Sequence, residues 1–148
     1  MPKAPINVLF IDDDSSLQLL ATTMLNSRLF NVLGALNTKE ADKMLKERKI
    51  ELIICDVMMP DEDGISYCNR LKKAGSSIPF LILSAVGDPR VVARGFQAGA
   101  DQYLVKPFDL VELQKQMLQM TGHKIVDPTG KKRHADADNP TFLSWFLR

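Results

Sequence analysis

The stretch "ELIICDVMMPDEDG", Glu51 to Gly64, decides the fold, because it joins an apolar run directly to a polar turn. The consecutive apolar or small residues 52–55 are typical of a strand covered on both faces, as in a parallel sheet between helices. The run ends on a carboxylate, Asp56, with no cationic residue near it in the sequence. An ionised carboxylate in apolar surroundings is costly unless a cation meets it, so the rest of the chain must supply one.

Similar short apolar runs recur along the chain and alternate with segments of helical spacing. The predicted strands are residues 6–11, 30–36, 51–55, 79–84 and 102–105. Consecutive apolar positions in these strands indicate burial on both faces. The pattern therefore predicts an α/β fold with a doubly wound, five-stranded parallel sheet.

Helical spacing is clearest in the segments after the first and last strands. The first segment carries an apolar stripe at i, i+3, i+4, i+7 and i+8, which we interpret as facing the core: Leu17, Leu20, Ala21, Met24 and Leu25. The last segment begins with Asp109 and has Glu112 three residues later, which predicts a helix cap and a capping box.

Length and charge limit the classes of function. The 148 residues fit one domain with a tail, and 19 Lys and Arg against 18 Asp and Glu give a net charge of +1. Such a chain has no overall attraction to nucleic acid or to an anionic membrane. The first apolar stretch is too short for a signal peptide or a bilayer span, and Cys55 and Cys68 lack metal-site spacing. We predict a cytoplasmic protein that binds neither nucleic acid nor membrane.

Composition changes near residue 121. Gly, Pro, Asp and Lys dominate up to about residue 140, and a dense apolar patch follows at 142–147. We interpret residues 1–121 as one domain and 122–148 as an extension or linker, with a short helix begun by Asn139 and Pro140 that docks on the domain or forms a homodimer.

Polar side chains follow four of the predicted strands. Because the carboxyl ends of parallel strands share one edge of a sheet, we expect these side chains to meet there: Asp12, Asp13, Asp14, Asp56, Ser84 and Lys106. Clustered carboxylates repel one another, and Mg²⁺ with its preference for oxygen ligands relieves this. The chemistry that needs this set is phosphoryl transfer onto a carboxylate, with Asp56 as nucleophile and with Ser84 and Lys106 holding the phosphoryl oxygens.

Four ordered motifs carry a family resemblance: "VLFIDDD" (8–14), "LIICDVMMPDEDG" (52–64), "LILSA" (81–85) and "YLVKPF" (103–108). Together they resemble the receiver domain of response regulators in two-component signalling, over roughly residues 5–121. The resemblance implies the flavodoxin-like (βα)5 receiver fold with strand order 2-1-3-4-5.

The resemblance also implies roles for single residues. Asp56 would be the phosphoacceptor, and Asp12, Asp13, Asp56 and the backbone carbonyl of Met58 would hold Mg²⁺. Ser84 and Lys106 would bind the phosphoryl group, Tyr103 with Ser84 would form the switch, and the peptide bond between Lys106 and Pro107 would be cis.

Partners follow from the same resemblance. A sensor histidine kinase or a histidine phosphotransfer protein would donate the phosphoryl group. Phosphorylation would shift the face formed by the fourth helix, fifth strand and fifth helix toward a form that binds a downstream protein. The chain would then be a switch that catalyses its own phosphorylation and dephosphorylation, and no conventional enzyme.

Two other interpretations fit parts of the sequence. The run into Asp12 and Asp14, with Ser84 and Lys106, also resembles haloacid-dehalogenase-type phosphohydrolases, with Asp12 as nucleophile and Asp14 as acid and base. That scheme lacks the later strand ending in paired acids and leaves Asp56 without a role. An interaction module with an inactive site is disfavoured because every required side chain is present.

Overall fold

The computed structural model describes residues 4–122, 125–126 and 132–133 of the chain. Five strands form one sheet: β1 (Ile6–Ile11), β2 (Phe30–Ala35), β3 (Leu52–Cys55), β4 (Phe80–Ser84) and β5 (Gln102–Val105). Five helices connect and follow them: α1 (Ser15–Leu25), α2 (Thr38–Glu47), α3 (Gly64–Lys73), α4 (Pro89–Gln97) and α5 (Leu110–Met120). None of the helices in the described ranges has the length and apolarity needed to cross a bilayer.

All neighbouring strands of this sheet are parallel, in the order β2-β1-β3-β4-β5. Both the predicted fold class and the strand order 2-1-3-4-5 are confirmed. The predicted strand limits are correct to within one residue at each end. All residues of β3 and β4 are buried, as their unbroken apolar runs predict.

The sheet divides the core into two layers because side chains alternate between its faces. Leu52 and Ile54 pack into the cluster that contains residues of α1 and α5. Ile53 and Cys55 pack into the opposite cluster, which contains Tyr67 of α3. The sheet is thus covered on both faces along its central strands β3 and β4, whereas the edge strand β5 is partly exposed.

Each of the five helices starts at an Asp or Asn whose side chain accepts a backbone N–H of the first turn, which are Asp14, Asn37, Asp63, Asp88 and Asp109. The predicted cap at Asp109 is confirmed by its 2.9 Å hydrogen bond from the Val111 N–H. The predicted capping box is wrong, because the carboxylate of Glu112 accepts instead from the side-chain amide of Gln116 and pairs with Lys115.

The interpretation of the α1 stripe needs a correction. Ala21 and Leu25 are buried, but Leu20 is 57% exposed and Met24 is 51% exposed. Ala21 and Leu25, four positions apart, form the buried line of the helix, and each lies about 100° around the axis from the residue before it. Leu20 and Met24 lie to one side of this line and are left partly open to solvent.

Beyond α5 the structure describes a short antiparallel pair that the sequence analysis does not predict. It consists of β6 (Ile125–Val126) and β7 (Lys132–Arg133), with Ile125 opposite Arg133. The predicted short helix near 142–147 lies outside the described residues.

Candidate functional site

The carboxyl ends of four strands meet at one edge of the sheet, and backbone hydrogen bonds fix them relative to one another. The Asp56 N–H donates to the Ile11 carbonyl at 3.0 Å, which joins the end of β3 to the end of β1. The Lys106 N–H donates to the Ser84 carbonyl at 2.8 Å, which joins the end of β5 to the end of β4. The residues that follow these strands are therefore held at one rim by the sheet itself.

Three carboxylates converge at this rim. Each of Asp12, Asp13 and Asp56 has an oxygen within 4.8 Å of those of the other two. Asp12 is buried, Asp56 is partly buried and Asp13 is exposed, so the cluster opens to solvent on one side. Three oxygen donors at an open rim form a donor set that suits Mg²⁺, which binds few carboxylates and keeps several waters.

Lys106 is the cation that offsets the charge of Asp56 at the end of its apolar strand. Its Nζ lies 3.1 Å from Oδ2 of Asp12 and 3.4 Å from Oδ2 of Asp56. Burial lowers the pKa of the Lys106 ammonium, but its hydrogen bonds to Asp12 and Asp56 and their charges outweigh this and raise the pKa above its usual value. Lys106 is therefore charged throughout the neutral range. The peptide bond between Lys106 and Pro107 is cis.

Ser84 and Tyr103 are linked through one residue of the β4–α4 loop. The buried Ser84 Oγ accepts the Val86 N–H at 3.2 Å, and the Tyr103 hydroxyl donates to the Val86 carbonyl at 2.5 Å. Burial raises the pKa of the Tyr103 hydroxyl, the Asp56 charge adds to this rise, and the nearby Ser84 hydroxyl partly offsets it. Val86 is therefore hydrogen-bonded to both Ser84 and Tyr103.

The Tyr103 ring occupies space that a glycine leaves free. A Cβ on Gly95 of α4 would lie 3.1 Å from Cδ2 of Tyr103 and 3.0 Å from Cδ1 of Ile82. Gly95 is buried, so a larger residue there would press on the ring. Sequence reasoning missed Gly95, although a glycine inside a helical segment is an available signal.

The β3–α3 loop shapes the other side of the rim. The Met58 N–H donates to Oδ1 of Asp56 at 3.3 Å, and the Met58 side chain is 65% exposed. A Cβ on Gly64 would lie only 2.0 Å from the Asp56 carbonyl oxygen. Helix α3 thus approaches Asp56 so closely that position 64 must be glycine. The sequence alone indicated only a turn at this position.

A side-chain network anchors this loop to two helices. Arg70 of α3 donates two hydrogen bonds to Glu62, at 2.9 and 3.0 Å, and a third to Asp42 of α2 at 3.0 Å. The hydroxyl of buried Tyr67 donates to the same Asp42 at 2.9 Å, and the Arg70 guanidinium lies over the Tyr67 ring. Glu62 belongs to the loop after Asp56, so the network helps to fix the loop's path. Sequence reasoning missed these residues, because they lie far apart in the chain.

Comparison with known proteins decides the family. Residues 8–118 match the family model of the response regulator receiver domain. This chain belongs to the response regulator receiver family. Receivers are the signalling modules of two-component systems, and they bind Mg²⁺ at an acidic cluster such as the one formed here.

Three similar proteins illustrate the relationship. A probable transcriptional regulator, ycf27, from Cyanidium caldarium is 37% identical over 108 residues, which are 73% of this chain and 43% of that protein. The receiver domain of Francisella response regulator 1452 has a TM-score of 0.75 and 31% identity, covering 79% of this chain and 97% of that chain. A chain of the CheX-CheY-BeF3-Mg complex from Borrelia burgdorferi has a TM-score of 0.71 and 26% identity, covering 78% of this chain and 88% of that chain.

This receiver spans less than half the length of the curated relatives that it matches, between 43% and 49% for three of them. The phosphohydrolase alternative finds no support in these comparisons. The geometry also opposes it, because the Asp14 carboxylate accepts the N–H groups of Ser16 and Leu17 at the start of α1. A carboxylate engaged as a helix cap is poorly placed to act as the acid and base of a hydrolase.

Lys106 offsets the charge of the buried acids in this receiver. Replacing Lys106 with Met should lower the stability by about 2 kcal/mol at neutral pH without divalent cations, because the buried Asp12 loses its partner. Folding raises the pKa of Lys106. The stability that Lys106 contributes is therefore complete below its pKa in the unfolded chain, and it is lost only as the pH rises through its pKa in the folded chain. Thermal unfolding with and without Mg²⁺ measures the effect, and added Mg²⁺ should recover more stability in the variant than in the wild type.

Lys49→Met is the matched control, since the Lys49 side chain is 86% exposed in its pair with Glu51. Exposed pairs contribute little, so this variant should unfold close to the wild-type temperature. Equal losses of stability in the two variants would contradict a central role of Lys106 in balancing the acids.

Proposed function

We propose that this receiver accepts a phosphoryl group on Asp56, in a Mg²⁺-dependent reaction, from a sensor histidine kinase or a histidine phosphotransfer protein. The observation that carries the proposal is the convergence of three carboxylates, a lysine and a serine at one rim of the sheet. Residues 1–121 constitute the receiver, and residues 122–148 form an extension.

The proposed reaction uses the chain's residues for positioning and for charge. An oxygen of Asp56 attacks the phosphorus, the new O–P bond forms, and the P–N bond to the donor imidazole breaks. Asp12, Asp13, Asp56 and the Met58 carbonyl would hold Mg²⁺, which when bound neutralises charge on the phosphoryl oxygens. Lys106 lies 3.4 Å from Asp56 already, so it can pair with the phosphoryl group with little reorganisation. Water later removes the phosphoryl group.

Transmission of the signal would begin at Ser84. Its hydroxyl now accepts the Val86 N–H, and its own proton remains able to donate to a phosphoryl oxygen. Movement of Ser84 toward that oxygen would weaken its bond to Val86, which also accepts the Tyr103 hydroxyl. The change would therefore reach the face of α4, β5 and α5.

The proposed output surface has the composition of a binding face. Tyr103 of β5 abuts Gly95 of α4, and the nearby side chains of Phe96 and Val105 are 46% and 43% exposed. Exposed apolar side chains beside a switch residue support binding of a downstream protein there, which phosphorylation would favour or oppose by shifting the population of the two forms.

Beryllofluoride, a mimic of the phosphoryl group, tests the proposal. Mg²⁺ and beryllofluoride together should raise the unfolding temperature of the receiver, because they bind only the folded chain. They should also slow amide hydrogen exchange in the β4–α4 loop and β5, while either component alone should have a much smaller effect. No response to the combination would refute the mechanism. If the receiver does respond, phosphotransfer from candidate kinases would identify its donor.

A further inference from the structure

The loop between β3 and α3 contains an acidic side chain for which the proposed reaction has no use. Residues 56–63 form this loop, which begins with the proposed phosphoacceptor Asp56 and continues through Met58, whose carbonyl is a proposed Mg²⁺ ligand. Glu62 follows Met58 by four positions, and both of its carboxylate oxygens accept hydrogen bonds from Arg70 of α3. Arg70 therefore holds the same loop that carries two groups of the proposed site.

Internal contacts make this loop a compact unit. The Gly64 N–H donates to the Val57 carbonyl at 3.0 Å and closes the loop, and within it the Glu62 N–H donates to the Pro60 carbonyl at 3.0 Å. Asp61 has a φ of +70°, which is uncommon for a residue with a side chain and persists only where surrounding contacts hold it. A displacement of Glu62 therefore alters the loop as a whole, including its first residues.

Arg70 holds Glu62 through a contact of fixed geometry. The Arg70 Nε lies 3.0 Å from Oε2 of Glu62 and its Nη2 lies 2.9 Å from Oε1, a paired arrangement that fixes orientation as well as distance. The same Nη2 donates to Oδ2 of Asp42 at 3.0 Å, and Oδ1 of Asp42 accepts the hydroxyl of the fully buried Tyr67 at 2.9 Å. Single exposed ion pairs contribute little, but a two-point contact within a network is stronger. We call these four residues the Arg70 network.

The coordination geometry of Mg²⁺ makes such anchoring important. Mg²⁺ requires nearly octahedral oxygen ligands at about 2.1 Å, so a carbonyl that is free to shift binds it less well. A ligand that the folded chain already holds in place adds affinity, because the cost of ordering it does not fall on the binding step. Residues that support metal ligands from behind commonly change metal affinity by about 10- to 100-fold. The Met58 carbonyl belongs to the loop that Arg70 anchors through Glu62.

We propose that Arg70 is a positioning residue for the proposed phosphoacceptor site. By holding Glu62 against α3, Arg70 keeps Asp56 and the Met58 carbonyl in the arrangement that binds Mg²⁺, and so raises the affinity of the receiver for the ion. Arg70 itself touches neither the metal nor the phosphoryl group in this scheme. The inference rests on the proposed function, since it takes Asp56 and Met58 as Mg²⁺ ligands.

Arg70→Met separates positioning from simple charge, because the two effects have opposite signs. Loss of a cation from α3 would by charge alone strengthen the attraction of Mg²⁺ to the carboxylates. Loss of the anchor should instead weaken binding, and we expect the Kd for Mg²⁺ to rise about tenfold. Titration of the 148-residue protein with MgCl2, followed by amide NMR shifts, measures this Kd. The titration is done on the folded chain below its unfolding temperature, so a loss of global stability does not enter the result.

Amide hydrogen exchange without Mg²⁺ is a second measurement, and it needs neither metal nor phosphorylation. The amides of Met58 and Glu62 should exchange several-fold faster in Arg70→Met than in the wild type, because the loop loses its anchor.

Lys73→Met is the matched control. Lys73 is an exposed residue of the same helix, three positions after Arg70 and outside the Arg70 network. Removing this charge should leave the Kd for Mg²⁺ within about twofold of the wild type and should leave exchange in the loop unchanged. Arg70→Lys is a second control, which keeps the charge but cannot form two parallel bonds to a carboxylate. This variant should retain most of the loss of affinity.

Three results would overturn the inference. The first is a Kd for Mg²⁺ in Arg70→Met that equals or lies below that of the wild type, even if the loop exchanges faster. The second is an equal rise of the Kd in Lys73→Met, and the third is wild-type affinity in Arg70→Lys, which would assign the effect to charge. A wild type that binds no Mg²⁺ and does not respond to beryllofluoride would instead refute the proposed function, and this inference with it.

Discussion

Asp56→Asn is expected to abolish labelling of this receiver by a small phosphodonor such as acetyl phosphate in the presence of Mg²⁺. The carboxamide is a poor nucleophile and forms no stable acyl phosphate, so no labelled protein should accumulate. The Asp56 side chain is partly buried and hydrogen-bonded to the Met58 N–H, so the isosteric amide should preserve the fold. Intact-protein mass spectrometry during incubation with the phosphodonor measures the result.

Asp61→Asn is the matched control on the same loop. Asp61 has a φ of +70°, a conformation that asparagine tolerates well, and the residue is exposed. This variant should be labelled at the wild-type rate. Continued labelling of Asp56→Asn, together with loss of labelling in Asp12→Asn, would instead assign the nucleophile to Asp12 and revive the phosphohydrolase scheme.

Much of the fold was accessible from the sequence because the strands are buried on both faces. Unbroken apolar runs such as 52–55 distinguish such strands from half-exposed ones, and an Asp or Asn precedes each helix. The alternation of strands and helices indicates a parallel sheet, but it does not indicate the order of the strands in that sheet. The order 2-1-3-4-5 was predicted through the family resemblance, since periodicity contains no information about which strands are neighbours.

The rim could be predicted for a related reason. Parallel topology sends all carboxyl ends to one edge, so residues 50 and 94 positions away from Lys106 were expected near it before any distance was known. The distances of 3.1 and 3.4 Å from the Lys106 Nζ to Asp12 and Asp56 required the structure.

Features that depend on contacts between helices and strands could not be predicted from the sequence. An apolar stripe indicates that one side of a helix is apolar, but it does not say how much of that side the neighbouring elements cover. Leu20 and Met24 were therefore wrongly assigned to the core. The contact of Arg70 with Asp42 joins residues 28 positions apart and depends on how α2 and α3 sit side by side. The requirement for Gly64 likewise depends on a tertiary approach of backbone atoms.

Gly64→Ala should strongly destabilise the receiver, against the expectation from helix propensity. Alanine in the first turn of α3 would ordinarily add up to ~1 kcal/mol of stability. The new Cβ, however, would lie 2.0 Å from the Asp56 carbonyl oxygen and 2.8 Å from its carbonyl carbon, so backbone must move. We expect a net loss of roughly 2–4 kcal/mol, measured by urea unfolding.

The same displacement should weaken the site, because the atoms that must move belong to Asp56, the proposed phosphoacceptor. Binding of Mg²⁺ with beryllofluoride should be reduced in the fraction of Gly64→Ala that remains folded, since Asp56 would no longer be aligned with Asp12 and Lys106. Gly87→Ala is the matched control, because its Cβ would meet only the Val105 side chain, with Cγ1 at 3.2 Å and Cγ2 at 3.6 Å, and that residue is 43% exposed and can rotate. That variant should unfold within about 0.5 kcal/mol of the wild type. Equal stability of the two alanine variants would mean that α3 can withdraw from Asp56 at little cost. Position 64 would then serve only the turn.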